Sequence, residues 1–174
     1  MKRKLRVVLN TLNLRSESLG GGWVYTWQLA RSLRRHRDEL DLIIVAHQNT
    51  APAFQALGHT VHAVSLDAGN RLRRVLWEQF SLIKEIERYA PDVIHGPGNV
   101  LPRGGRARSV VTVHDFQWYY YPENFSLPRR IYLRRMVRAS ARSADRVICV
   151  SEATKRDLVR FCQVPDERIA VIHE

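Results

Sequence analysis

The amino-acid sequence predicts an α/β fold, a mostly parallel sheet of about seven strands with helices on both faces. Two observations carry that expectation. Short β-branched apolar runs alternate with longer segments of helical apolar spacing along the whole chain, with no internal repeat and no low-complexity tract between them. The chain has 174 residues, 45% of them hydrophobic, which makes one domain of ordinary size with enough apolar side chains to fill a core. Strand and helix in alternation build βαβ units, whose right-handed crossovers cover a parallel sheet on both sides. The expected architecture is a three-layer, Rossmann-like domain over residues 1–174, whose ligands bind outside the carboxyl ends of the strands.

The first strand is the run LRVVLN, Leu5 to Asn10. It follows a basic start, but Asn10, Thr11 and Asn13 interrupt its apolar stretch, which makes a poor signal peptide. Further strands are expected at Leu42 to Ala46, Val61 to Ser65, Asp92 to Gly96, Ser109 to His114, Arg146 to Val150 and Ile169 to His173. Helices are expected at Gly22 to His36, Ala51 to Leu57, Asn70 to Tyr89, Leu127 to Ser143 and Glu152 to Phe161. No apolar run is long enough to span a bilayer. Cys149 and Cys162 are the only cysteines, which suits reduced thiols in a cytoplasmic protein rather than a disulfide framework.

Charge is the largest compositional deviation. The formal net charge is +11, and between Arg103 and Arg160 there are 13 Lys and Arg against 5 Asp and Glu. Such a surface favours phosphorylated ligands, anionic lipid headgroups or nucleic acid, and a solvated basic face is the plain alternative. Arg130, Arg134, Arg138 and Arg142 recur every four residues on one broad helix face, where like charges repel unless anions or acidic side chains lie across them. Leu133, Met136 and Val137 of the same helix can turn toward the core. This row points to an anionic membrane surface, to which the chain would attach peripherally.

Gly20, Gly21 and Gly22 lie between the first strand and the first helix, where main-chain N–H groups and the helix dipole favour an anion. The run GGGWVY fits neither G-x-G-x-x-G nor a P-loop, so a nicotinamide or ATP site is not indicated, and a tight turn is an equal reading. His114 ends an apolar strand and precedes Asp115; alone, such a histidine is more often structural, and such an aspartate often caps a turn. His95 ends another strand, with Asn99 in the loop that follows. The aromatic-rich stretch FQWYYYPENF, with Trp118, suits stacking on sugars, insertion at a lipid interface, or a small hydrophobic cluster under a loop. The remaining histidines form no metal-ligand spacing.

The segments DVIHGPGNVLP, VVTVHDFQWYYYPENFS and ADRVICVSEATKRDLVRF, together with VPDERIAVIHE, closely resemble the amino-terminal domain of glycosyltransferase family 4, the retaining GT-B enzymes. The resemblance covers essentially the whole chain and implies one half of a GT-B fold. It implies that His114 contacts the transferred sugar, and that Gly20, Gly21 and Gly22 approach the donor diphosphate. His95, Asn99, Asp115 and Trp118 become candidates for acceptor binding. The implied reaction is sugar transfer from a nucleotide-diphosphate sugar with retention, using no cofactor, metal or protein nucleophile. The nucleotide-binding carboxyl-terminal domain is absent from these residues, so this acceptor-side half is expected to need it as a partner and to be inactive alone. Self-association through the exposed cleft is the other partnership considered. A non-catalytic basic module binding nucleic acid or anionic surfaces is the rival reading; it accounts for the charge but not for the glycines together with VTVHD and ADRVICVSEATKRD, so nucleic acid is not expected as a partner.

Overall fold

The computed structural model describes residues 3–14, 20–66 and 71–173. It contains seven strands in a parallel α/β sheet, as the alternation predicts. The chain divides into two compact units, residues 1–97 with 102–108, and residues 98–101 with 109–174.

In the first unit the strands are β1 (Leu5–Asn10), β2 (Leu40–His47), β3 (Thr60–Val64) and β4 (Val93–Gly96), in the order β3-β2-β1-β4. Successive residues of a strand point to opposite faces, and two cores result. Leu9, Leu42, Ile44 and Ala46 meet helices α1 (Gly20–Leu33) and α2 (Ala51–Gln55), where Phe54 is fully buried. Val8, Ile43, Val45 and Ile94 meet Leu82 and Ile86 of α4 (Leu82–Glu87). The single helix expected from Asn70 to Tyr89 is two, α3 (Arg71–Phe80) and α4, with Ser81 between them at φ −111°. Asn70 itself lies outside the described residues.

In the second unit β5 (Arg108–Val113), β6 (Arg146–Cys149) and β7 (Ile169–Val171) pair in that order, Arg108 being counted with the first unit. Val111, Val113, Val147 and Cys149 pack on Val137 and Ala141 of α6 (Leu127–Ser143) and on Leu158, just past α7 (Glu152–Asp157). That last helix continues as a π-turn over Leu158–Cys162 and ends at Gln163, whose φ of +56° is left-handed. A short helix not expected from the sequence, α5 (Gln117–Tyr120), follows β5. Both cysteines are buried free thiols, and burial pushes that of Cys162 up to about 11.

Candidate functional site

The second unit presents His114 one residue beyond β5, half-buried, with both its main-chain groups held by side chains. Its N–H donates to Asn99 Oδ1 at 2.8 Å, and its carbonyl accepts from Thr154 Oγ1 at 3.0 Å. Asn99 is itself in a left-handed conformation, φ +69°, and its N–H donates to the Thr112 carbonyl at 2.9 Å. Thr154 is buried at the start of α7, where Ser151 accepts its N–H at 3.1 Å as the helix N-cap. Asp115 Oδ1 accepts the Gln117 N–H at 3.0 Å and so begins the turn into α5.

Two sequence expectations change here. Trp118 is not on an exposed loop: α5 turns its indole into the core, 7% exposed, beside Phe116 at 5.6 Å between ring centroids. Of the three readings of this stretch, the small hydrophobic cluster is the one that its indole takes. Tyr119, Tyr120 and Tyr121 are the exposed aromatics instead. The arginine row also divides. Arg142 Nε donates to the Cys162 carbonyl at 2.8 Å, and Arg138 and Arg142 both donate to Gln163 Oε1. These two cations sit on the negative end of the α7 segment, with no acidic side chain needed to offset their repulsion. Arg130 and Arg134 make no such bond among the described residues.

In the first unit, Gly20 has φ +61°, a conformation that favours glycine, while a Cβ on Gly20 or Gly21 would meet nothing within 4 Å among the described residues. One on Gly22 would meet only the Leu14 side chain at 3.9 Å. Close packing among the described residues therefore explains none of the three glycines. His95 is in β4, opposite Leu9, and buried at 7% exposure.

The family model described as Glycosyltransferase Family 4 matches residues 19–174. The chain belongs to that family. A stretch of 81 residues is 30% identical to O-antigen chain mannosyltransferase B of Escherichia coli, covering 47% of this chain and 21% of that protein. Sucrose-phosphate synthase from Thermosynechococcus elongatus superposes with a TM-score of 0.67 at 12% identity, over 98% of this chain and 48% of its own. HepE from Anabaena, solved in complex with UDP and glucose, superposes with a TM-score of 0.63 at 16% identity, over 97% and 44%. At such identities the two structures establish the fold, a GT-B-type Rossmann-like domain. The chain spans under half the length of either.

For a member of family 4 the carboxyl end of β1 holds a polar group that sequence reasoning missed. Asn10, its last residue, donates from Nδ2 to Glu78 Oε1 at 2.6 Å, and Arg74 Nη1 donates to Glu78 Oε2 at 2.9 Å. Glu78 is 6% exposed, and desolvation raises its pKa above the ordinary range despite Arg74 and Asn10. Leu76 and Phe80, its apolar neighbours on α3, are exposed. The missed signal was the pairing of Arg74 and Glu78 one helical turn apart. No helix among the described residues is long and apolar enough to cross a membrane.

Proposed function

We propose that this chain is the acceptor-side half of a retaining glycosyltransferase that uses a nucleotide-diphosphate sugar. Family membership supports the reaction class. The observation that carries the residue assignment is His114, held through its main chain at the carboxyl end of β5, where a Rossmann-like sheet receives its ligands. His114 acts on the transferred sugar; Gly20, Gly21 and Gly22, with open space above two of them, admit the donor diphosphate. His95, Asn99 and Asp115 remain the acceptor-side candidates. Donor and acceptor react only when a second, nucleotide-binding half closes the cleft, so the partner is that domain and the chain alone is inactive. The half works at the cytoplasmic face of an anionic membrane, through Arg130 and Arg134 and the exposed apolar side chains Leu127 and Ile131 on the same helix.

The test measures nucleoside diphosphate release and sugar transfer from a panel of UDP- and GDP-hexoses, for the chain alone and joined to a complementary carboxyl-terminal domain. Activity appears only in the second case, and nuclear magnetic resonance of the product finds the donor's anomeric configuration preserved. Robust turnover by the isolated chain sinks the half-site reading. His114→Ala in the complete enzyme lowers the rate on the order of 10²-fold. Unchanged kinetics in a folded variant assign His114 to structure.

A further inference from the structure

His114 stands where the sheet stops supplying partners. The β5–β6 ladder ends at Val113 opposite Cys149, so the next N–H and carbonyl need acceptors and donors from elsewhere. Asn99 and Thr154 supply them, one on each side of the residue. Asn99 reaches the end of β5 twice, through its own N–H to the Thr112 carbonyl and through Oδ1 to the His114 N–H. That grip requires the left-handed φ of +69°, which asparagine tolerates better than most residues with a side chain. On the other side the Thr154 hydroxyl is fixed in place. It lies 3.0 Å from Ser151 Oγ, on a residue 6% exposed, in the first turn of a helix capped by Ser151.

We infer that Asn99 and Thr154 are positioning residues that set the imidazole of His114 by clamping its main chain from both sides. The inference rests on the reading of His114 as the residue that meets the sugar. It gives Asn99 a role beside its candidacy for acceptor binding, and gives the Ser151-x-x-Thr154 spacing a purpose. The cap orients the hydroxyl, and the hydroxyl orients the strand end. Fixing both main-chain groups removes the backbone freedom of His114, a part of the preorganisation that a group acting on a transition state needs.

In the complete enzyme, with the UDP- or GDP-hexose giving the fastest nucleoside diphosphate release, Thr154→Val and Asn99→Ala each lower kcat about tenfold with KM changed less than about twofold. Thr154→Ser, which keeps the hydroxyl, restores the rate. Adding either substitution to His114→Ala causes no further loss, because the group they position is gone. Hydrogen exchange of the His114 amide accelerates in Asn99→Ala while those of Val111 and Val113 do not. Additive losses in the His114→Ala background, or an unchanged His114 amide, overturn the clamp and leave the catalytic reading standing. Wild-type turnover in folded His114→Ala overturns the catalytic reading and the clamp with it.

Discussion

In the first unit Asp92, just ahead of β4, accepts the main-chain N–H of Arg6 at 2.8 Å; in the second Asp145, just ahead of β6, accepts that of Ser109 at the same distance. Each aspartate thus fixes the start of the strand beside its own. The opposite edges are finished differently. In the first unit Asn10, Thr11, His47, Thr50 and Glu78 are all buried and bonded to one another or to main chain. His47 accepts the Asn49 N–H at Nδ1 and donates from Nε2 to the Leu66 carbonyl, which fixes the orientation of its ring. In the second unit the corresponding edge leaves His114 half-buried, with its main chain held by Asn99 and Thr154. The runs DVIH and ADRVIC therefore owe their aspartates to strand register. The contrast lies at the carboxyl edge, closed by buried polar groups in the first unit and half-buried at His114 in the second.

The strongest way to break that contrast is to open the closed edge. Glu78→Ala leaves Arg74 and Asn10 without their buried partner and costs about 3–5 kcal/mol of unfolding free energy, read from denaturant titration. A loss below about 1 kcal/mol would mean that water already reaches the group. The pH dependence carries a sign. Because the folded pKa of Glu78 lies above its ordinary 4.5, the native state keeps this proton over a window in which the unfolded chain has lost it. Its contribution to stability therefore falls as pH rises from about 4.5 through the folded pKa. Glu78→Gln removes that fall and keeps an acceptor for Asn10, so the stability of the variant relative to the wild type rises with pH across the window. A difference independent of pH would show that the carboxyl ionises in the fold as it does in water.

This closed edge was the least legible part of the sequence. The strands announced themselves because each is a β-branched run, and Val8 and Leu9 or Ile43 and Ile44 show the two-faced burial of a covered parallel sheet. The Asn10–Glu78 contact joins residues 68 apart, and no periodicity encodes it. Helix α3 also misleads, since it buries Glu78 and Gln79 and exposes Leu76 and Phe80, the reverse of an amphipathic reading. Trp118 stayed open among three readings for a related reason: an aromatic run without clear period reads as a loop, and only the packing of α5 shows which ring goes inward. At the open edge the motif was visible as a motif. The contacts within it, Asn99 and Thr154 on the main chain of His114, join residues 15 and 40 apart, and no local pattern encodes them.

A smaller effect tests the shared edge. Asp145 takes both the N–H and the hydroxyl of Ser109, at 2.8 and 3.0 Å, while Asp92 takes the Arg6 N–H and pairs with Arg3. Asp145→Ala and Asp92→Ala should each cost about 1–3 kcal/mol, the usual penalty for leaving a partly buried donor without its acceptor. Hydrogen exchange locates the loss, at Ser109 in one variant and at Arg6 in the other. If either substitution is neutral, the two units do not share the device, and the likeness of DVIH and ADRVIC is only one of composition.

The smallest effect separates the two ends of the arginine row. Arg142 donates to the Cys162 carbonyl and, with Arg138, to the side chain of Gln163, the left-handed residue that ends the π-turn. A residue with a Cβ at such a cap is strained where glycine would not be, and the two guanidinium groups offset that strain while meeting the negative end of the helix segment. Arg142→Gln should therefore cost about 1 kcal/mol, whereas Arg134→Gln, on an exposed position without such a bond, should change stability by less than about 0.5 kcal/mol. Membrane attachment predicts the reverse ranking. The double variant Arg130→Gln, Arg134→Gln should lose co-sedimentation with phosphatidylserine-containing vesicles, and salt should weaken binding of the wild-type chain, because exposed charges are screened. Arg142→Gln should bind vesicles nearly as well as the wild type. Absence of salt-sensitive vesicle binding in the folded wild-type chain would reduce the whole row to one structural half and one solvated half.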